Sequence, residues 1–161
     1  MNATTYLNFE LLIEPWQKAY RARVQYSPVG EAWELFTLPF SQAELSAFLP
    51  FVGQRSLGRG GEKSSPQIFG ARLYTTVFHG AVGRCLARSL DAAKRQRKGL
   101  RIRLRLNEVP ELAQLPWEYL YDPVNQRFFV LSDQTPIVRY LEMQGTEQPL
   151  ELARPLRILM G

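Results

Sequence analysis

Apolar and polar residues alternate most strictly over residues 100–106, where LRIRLRL sets Leu100, Ile102, Leu104 and Leu106 against Arg101, Arg103 and Arg105. A period of two puts the apolar side chains on one face of a strand and the arginines on its wet face. Three earlier segments carry the same signal. Residues 5–14, TYLNFELLIE, alternate through Tyr6, Leu7, Phe9, Leu11 and Ile13, and Pro15 is expected to end that strand. Residues 19–26 place Tyr20, Ala22, Val24 and Tyr26 on one face and Arg21, Arg23 and Gln25 on the other. After the turn signal Ser27-Pro28-Val29-Gly30, residues 31–38 form a third strand candidate with Trp33 and Phe36. Adjacent antiparallel pairing is the simplest arrangement of these three, a meander.

The period then changes. Ser41-Gln42-Ala43-Glu44 fits a capping box, with Ser41 capping the first amides and Glu44 reaching back. Leu45, Phe48 and Leu49 supply the apolar face of a short helix that Pro50 and Gly53 stop. Residues 54–66, QRSLGRGGEKSSP, hold nothing able to anchor a core and are expected to be a mobile loop. Residues 66–98 are helical in pattern, through Leu73, Val77, Phe78, Val82, Leu86 and Leu90. His79-Gly80 and Gly83 weaken the middle, which leaves two helices or one kinked helix, and Gly99 is the stop signal. Beyond 100–106, residues 116–121 lead into a further element and Asp122-Pro123-Val124-Asn125 forms a turn. Residues 128–131 and 137–141 read as strands, 143–154 as a surface linker, and 156–160 as a terminal strand. The fold class that follows is α+β, or mixed α/β.

Composition narrows the setting. The chain has 161 residues, enough for one domain or two small ones. Its single cysteine, Cys85, allows no internal disulfide and points to a reducing compartment. No run approaches the roughly 18 apolar residues of a membrane span. The N-terminus lacks a basic region and carries Glu10 and Glu14 among its apolar residues, unlike a signal peptide. A cytoplasmic location is therefore expected. Lys and Arg number 20 against 15 Asp and Glu, a formal charge of +5. Part of that excess is Lys94-Arg95-Gln96-Arg97-Lys98 with the three arginines that follow. Cations at a helix end complement its dipole and the arginines suit a wet strand face, so nucleic-acid binding is the weaker reading. The sequence also lacks the interleaved aromatic and basic residues of single-strand binders.

Candidate chemistry is sparse. His79 and Cys85 are the only histidine and cysteine. They stand six positions apart in a predicted helix, which turns their side chains roughly 120° from each other. A helix break at Gly80 or Gly83 would remove that argument. Cys85 shares the apolar phase of Val82 and Leu86, as a buried inert thiol does. One His and one Cys, without paired carboxylates, make no zinc set. No G-x-S-x-G elbow, Walker sequence or dinucleotide fingerprint occurs, and Gly58, Gly60 and Gly61 lack the Gly-Lys-Ser ending of a phosphate loop. No catalytic residue, cofactor or metal is assigned. Trp117 and Glu118 are structural candidates: the indole N–H needs one partner, and Glu118, if buried, needs a cation, with Arg139 first in line. The competing expectation leaves Trp117 and Glu118 exposed and unpaired.

One resemblance emerges from the serial order of these segments. LRIRL, an acidic and apolar stretch, LPWEYLYD, a turn, FFVLS, TPIVRYLE, a linker and PLRILM together resemble the beginning of a CHAT domain, a caspase-like cysteine peptidase domain of the caspase, gingipain and separase clan. Pro116-Trp117-Glu118 stands where many members carry Pro-Phe-Glu. YLNFELLIE, YRARVQYSPVGEA, the LPF-capped helix and FGARLYTTVFHGAVGRCLARSL are similar to the region that precedes this point in bacterial members. The resemblance implies a pre-CHAT α+β region over 1–99 and the N-terminal strands of a caspase-like sheet over 100–161. The family's catalytic histidine and cysteine lie past the matched segments, and His79 and Cys85 do not correspond to them. The implied role is a non-catalytic scaffold or regulatory portion that braces the catalytic sheet. Its partner would be the remainder of the peptidase, in the same or a separate chain, engaged through Leu156, Ile158 and Met160. Two other readings stand beside it: a stand-alone adaptor that self-associates or binds a protein through strand edges, and a small hydrolase using Cys85.

Overall fold

The computed structural model describes residues 4–48 and 65–140. β1 (Tyr6–Trp16), β2 (Ala19–Tyr26) and β3 (Ala32–Phe36) form the antiparallel meander. Leu11 faces Val24, Ile13 faces Ala22, and Tyr20 faces Phe36, so these side chains line one side of the sheet. Two details differ from the simple alternation. β1 runs through Pro15 to Trp16; β4 flanks it only as far as Leu12, so Pro15 interrupts no ladder on that side. A bulge sets Glu10 against Tyr26 and Leu11 against Val24, inserting Gln25. The extra residue re-aims Tyr26, which is 58% exposed instead of sharing the core face of Val24.

α1 (Gln42–Phe48) opens with the expected capping box. The Ser41 N–H donates to Glu44 at 2.7 Å, and the Glu44 N–H donates to the Ser41 hydroxyl at 3.1 Å. The Ser41 backbone bond, then Arg72, holds the Glu44 carboxyl below its ordinary pKa. α2 (Ser65–Val77) and α3 (Gly80–Arg95) are separate helices. α2 takes in Ser65 and Pro66, the last two positions assigned to the loop; residues 54–64 lie outside the described residues. The break falls at Gly80, whose φ of +52° suits glycine. Glu34 of β3 reaches across to accept the Ala81 N–H at 2.8 Å, which caps α3.

The chain then returns to the sheet as β4 (Gly99–Arg105), parallel to β1, with Phe9 opposite Ile102 and Leu11 opposite Leu104. α4 (Pro110–Ala113), a 3-10 turn (Trp117–Tyr119) and the hairpin of β5 (Tyr121–Asp122) with β6 (Arg127–Phe128) follow. The strand expected over 128–131 is corrected here. Phe129–Leu131 is a 3-10 turn, because Phe129 swings into the core, 1% exposed, and stacks on Tyr74 at 5.6 Å. β7 (Ile137–Tyr140) then pairs parallel with β4, giving the order β3-β2-β1-β4-β7. The segments read as linker (143–154) and terminal strand (156–160) lie outside the described residues.

The fold is α+β: a mixed sheet with helices packed on it. Residues on both sides of position 99 share this sheet and one core, in which Phe9, Leu11, Ile13, Val24, Ile102, Leu104, Leu73, Val82 and Leu86 are fully buried. The opposite sheet face mixes charged residues with exposed apolar ones, Trp16, Tyr26, Trp33, Leu35, Val138 and Tyr140. Glu14 pairs with Arg21 at 2.5 Å and Arg23 at 3.0 Å, and Glu10 with Arg103 at 3.6 Å and Arg105 at 3.3 Å. Leu12 is buried on that face, set opposite Arg23 and Arg105, whose aliphatic stems can cover it. No described helix is long and apolar enough to cross a membrane.

α2 meets the 3-10 turn at Trp117–Tyr119 backbone to backbone. A Cβ on Gly70 would lie 1.6 Å from the Tyr119 carbonyl oxygen. In an open helix, alanine for glycine gains about 1 kcal/mol. Here the Gly70→Ala variant must push two elements apart, and a net loss of about 2 kcal/mol is expected in chemical denaturation. A variant as stable as the parent would refute that close approach.

Candidate functional site: the Pro-Trp-Glu corner and the edge of β7

After β4 the chain turns away from the sheet through Leu106, Val109 and Leu112, all fully buried. α4 has Pro110 in its first turn, and Pro116 precedes the 3-10 turn, where a fixed φ suits the change of direction. Trp117 is fully buried, and its indole N–H donates to the Leu112 carbonyl at 2.7 Å. The corner is thus closed by a large apolar side chain whose one polar atom is satisfied.

Glu118 points the other way, its side chain 56% exposed. Arg139 comes from β7 in register with Leu104, on the helix side of the sheet. Its guanidinium donates to the Glu118 carboxylate and, at 2.9 Å, to the Ala113 carbonyl at the end of α4. Arg139 therefore holds an orphan helix-end carbonyl and an acid of the corner at once. Partial burial lowers its pKa from the ordinary guanidinium value, and it remains charged at any physiological pH. The Glu118 contact, being exposed, contributes at most about 1 kcal/mol.

The hairpin beyond the corner is fastened by Asp122, which is 2% exposed. Its Oδ1 accepts the N–H groups of Val124 at 2.9 Å and Asn125 at 3.2 Å, and its Oδ2 accepts the Asn125 amide at 2.6 Å. Tyr74 of α2 stacks on Phe78 as well as Phe129. Burial, then the Asp122 carboxylate, pushes the Tyr74 phenol from 10.0 up to about 12, with Arg127 opposing.

β7 ends this unit as an edge. The Leu100 N–H donates to the Gln134 carbonyl at 2.8 Å and the Ile102 N–H to the Pro136 carbonyl at 2.9 Å. By the same alternation the N–H and C=O groups of Ile137 and Arg139 face away from β4. Among the described residues no strand pairs with that side. Leu156, Ile158 and Met160, the interaction residues expected from the sequence, lie outside the described residues.

His79 and Cys85 have separate surroundings. His79 lies in the break before α3, so the shared-helix angle does not apply to it. Its Nδ1 is 2.7 Å from the Thr76 carbonyl and its Nε2 is 3.9 Å from Glu34. Cys85 is 7% exposed, with its sulfur 3.4 Å from the Ser27 hydroxyl and 3.7 Å from the Gly30 carbonyl. Among the described residues no three His, Cys, Asp or Glu side chains gather as a metal set. Sequence reasoning missed Glu34 and Gly70. Glu34 caps a helix 47 positions away, and no local pattern announces such a pair. No family model, curated protein or solved structure matches the chain.

Two variants separate the parts of the corner. Trp117→Phe removes the indole bond and part of the buried ring, while the Leu112 carbonyl keeps the Leu115 N–H at 3.1 Å, and the lost volume and bond should together cost about 1–3 kcal/mol. Glu118→Gln should cost less than about 1 kcal/mol. Denaturant melts rank them, and the reverse order would refute the assignment of the anchor to Trp117. Tyr74 gives a pH test. An acid whose folded pKa is raised contributes stability fully below its unfolded value of 10.0, and loses it as pH rises to about 12. Tyr74→Phe should therefore resist alkaline unfolding, followed by circular dichroism, further into that window than the parent does. Identical alkaline midpoints would assign the loss to another group.

Proposed function

We propose that this chain is the non-catalytic, amino-terminal framework of a CHAT-type caspase-like cysteine peptidase. In this reading residues 1–99 precede the peptidase domain and residues 100–161 belong to its beginning. One observation carries the reading most directly: β1, β4 and β7 run parallel, and the outer edge of β7 is unpaired among the described residues. An open edge of a parallel set is where an α/β sheet gains its next strand. The Pro116-Trp117-Glu118 corner supports this reading through the resemblance of its surrounding segments, and it fixes β7 through Arg139. The buried setting of Cys85, with hydroxyl and carbonyl neighbours and no imidazole among its hydrogen-bond contacts, supports placing the catalytic chemistry elsewhere. In this reading the protein works in the cytoplasm, where a lone thiol stays reduced.

The isolated chain is expected to leave fluorescent casein uncut. The coding frame is expected to run past Gly161 into a segment bearing a histidine and a cysteine, or to neighbour a gene that does. Turnover that disappears in Cys85→Ser overturns the framework reading, as does the lack of any such segment. The same edge would also serve an adaptor; a concentration-dependent oligomer in light scattering, without an encoded peptidase segment, is the result that favours it.

A further inference from the structure

A cleft of about 840 Å³ lies between the C-terminal end of α3, the β5–β6 hairpin and residues 134–135, which lead into β7. Lys94, Arg97 and Lys98 line one side, Arg127 lines the other, and Asp91 is the one carboxylate among the lining residues. We propose that this cleft binds a small molecule carrying two or more linked phosphate groups.

The distribution of counter-charges is the first support. On the open sheet face Arg21, Arg23, Arg103 and Arg105 each pair with Glu10 or Glu14. Around the cleft, four cations converge and none makes an ion pair among the described residues. Asp122 stands across the hairpin from Arg127, but both of its oxygens accept hydrogen bonds of the turn. Bringing like charges together without a partner is unfavourable, and a multivalent anion reverses the sign of that interaction.

Helix capping does not account for the cluster. The carbonyls of Ala92, Ala93 and Lys94 already accept the backbone N–H groups of Gln96, Arg97 and Lys98. The side chains are thus free of that task. The Arg127 guanidinium lies over the Phe129 ring at 6.0 Å, and its Nε is shielded from solvent without a hydrogen-bond partner, as is that of Arg21 on the sheet. Each side of the cleft also turns through a non-glycine residue in the left-handed region, Arg97 at φ +55° and Gln126 at φ +52°. These turns immediately precede Lys98 and Arg127, two of the four cations.

The convergence on one cleft favours a compact ligand over a nucleic-acid strand, which needs cations along a track. Guanidinium groups suit bidentate contacts to phosphate oxygens, and the two lysines add point charges. Leu90, on the α3 side, offers apolar surface to an organic portion of the ligand.

Calorimetric titration of the full chain with inorganic pyrophosphate, ATP and AMP tests the proposal, independently of the framework reading. Pyrophosphate and ATP should bind, AMP more weakly, with affinity falling as salt rises. Tighter binding of ATP than of pyrophosphate would assign the source to a nucleotide; equal affinity would assign it to the polyphosphate alone. Arg127→Gln and Lys98→Gln should each weaken binding roughly tenfold or more, the scale of one charge-assisted hydrogen bond. Lys94→Gln, on the exposed helix surface, repeats the test should Arg127→Gln fail to fold. Arg84→Gln, on α3 outside the cleft, should change nothing. Absence of binding by both polyphosphates overturns the proposal, as does equal weakening by Arg84→Gln. Tighter binding of a single-stranded RNA oligonucleotide, weakened by Arg101→Gln on the sheet, overturns it too.

Discussion

β4 links the meander to the strand at the sheet's other edge. It lies between β1 and β7, parallel to both, and neither neighbour is joined to it by a tight turn. A parallel pair gains nothing from a hairpin, so its side chains must supply what the connection does not. Leu100, Ile102 and Leu104 do so on the helix side, each at most 1% exposed, and each such burial contributes on the order of 2 kcal/mol. The opposite side is held differently. Arg103 and Arg105 meet Glu10 of β1, and Arg103 also lies over the Tyr140 ring of β7 at 4.3 Å. One short strand therefore sets the register of the sheet by two unlike mechanisms, apolar burial beneath and charge matching above.

The corner after β4 converts that register into the position of an edge strand. Trp117 fills space beneath it, Gly70 lets α2 approach to backbone contact, and Tyr74 and Phe129 stack where the hairpin returns. Arg139 then joins β7 to the end of α4. The energetic weight lies in the buried parts, because the Glu118 contact is half open to water and water screens it. Glu118 directs Arg139 more than it stabilises it. The outer backbone edge of β7 is thus open among the described residues while Arg139 is held from the inner side.

Features set by near neighbours were the ones legible in the sequence. The alternation of β4, the meander and the Ser41–Glu44 capping box depend on residues a few positions apart, and the structure contains all three. Features set by distant contacts were not. Tyr26 belongs to the core face by counting, until a bulge displaces it. Residues 128–131 have strand propensity, yet only Phe128 stays in β6, and the demand for Phe129 in the core curls 129–131 into a turn. The angle between His79 and Cys85 assumed one helix, and Gly80 with Glu34 makes two. Arg139 was legible as a partner for Glu118 from charge alone; its bond to Ala113 depends on where α4 stops, and no motif encodes that.

The basic excess of the chain also takes a different meaning once folded. Read linearly, Lys94 to Arg105 is one basic run. The structure divides it at Gly99. Arg103 and Arg105 share the single Glu10 carboxylate across the sheet, and Arg101 lies against the Tyr6 ring at 4.9 Å. Lys94, Arg97 and Lys98 line one cleft together with Arg127, which lies 29 positions beyond Lys98. Pairing on one side of Gly99 and concentration on the other follow from the same strand, because β4 carries alternate side chains to opposite faces while the loop before it faces the hairpin. Net charge alone could not distinguish cations that share a carboxylate from those without one; the distribution of carboxylates around each cation does.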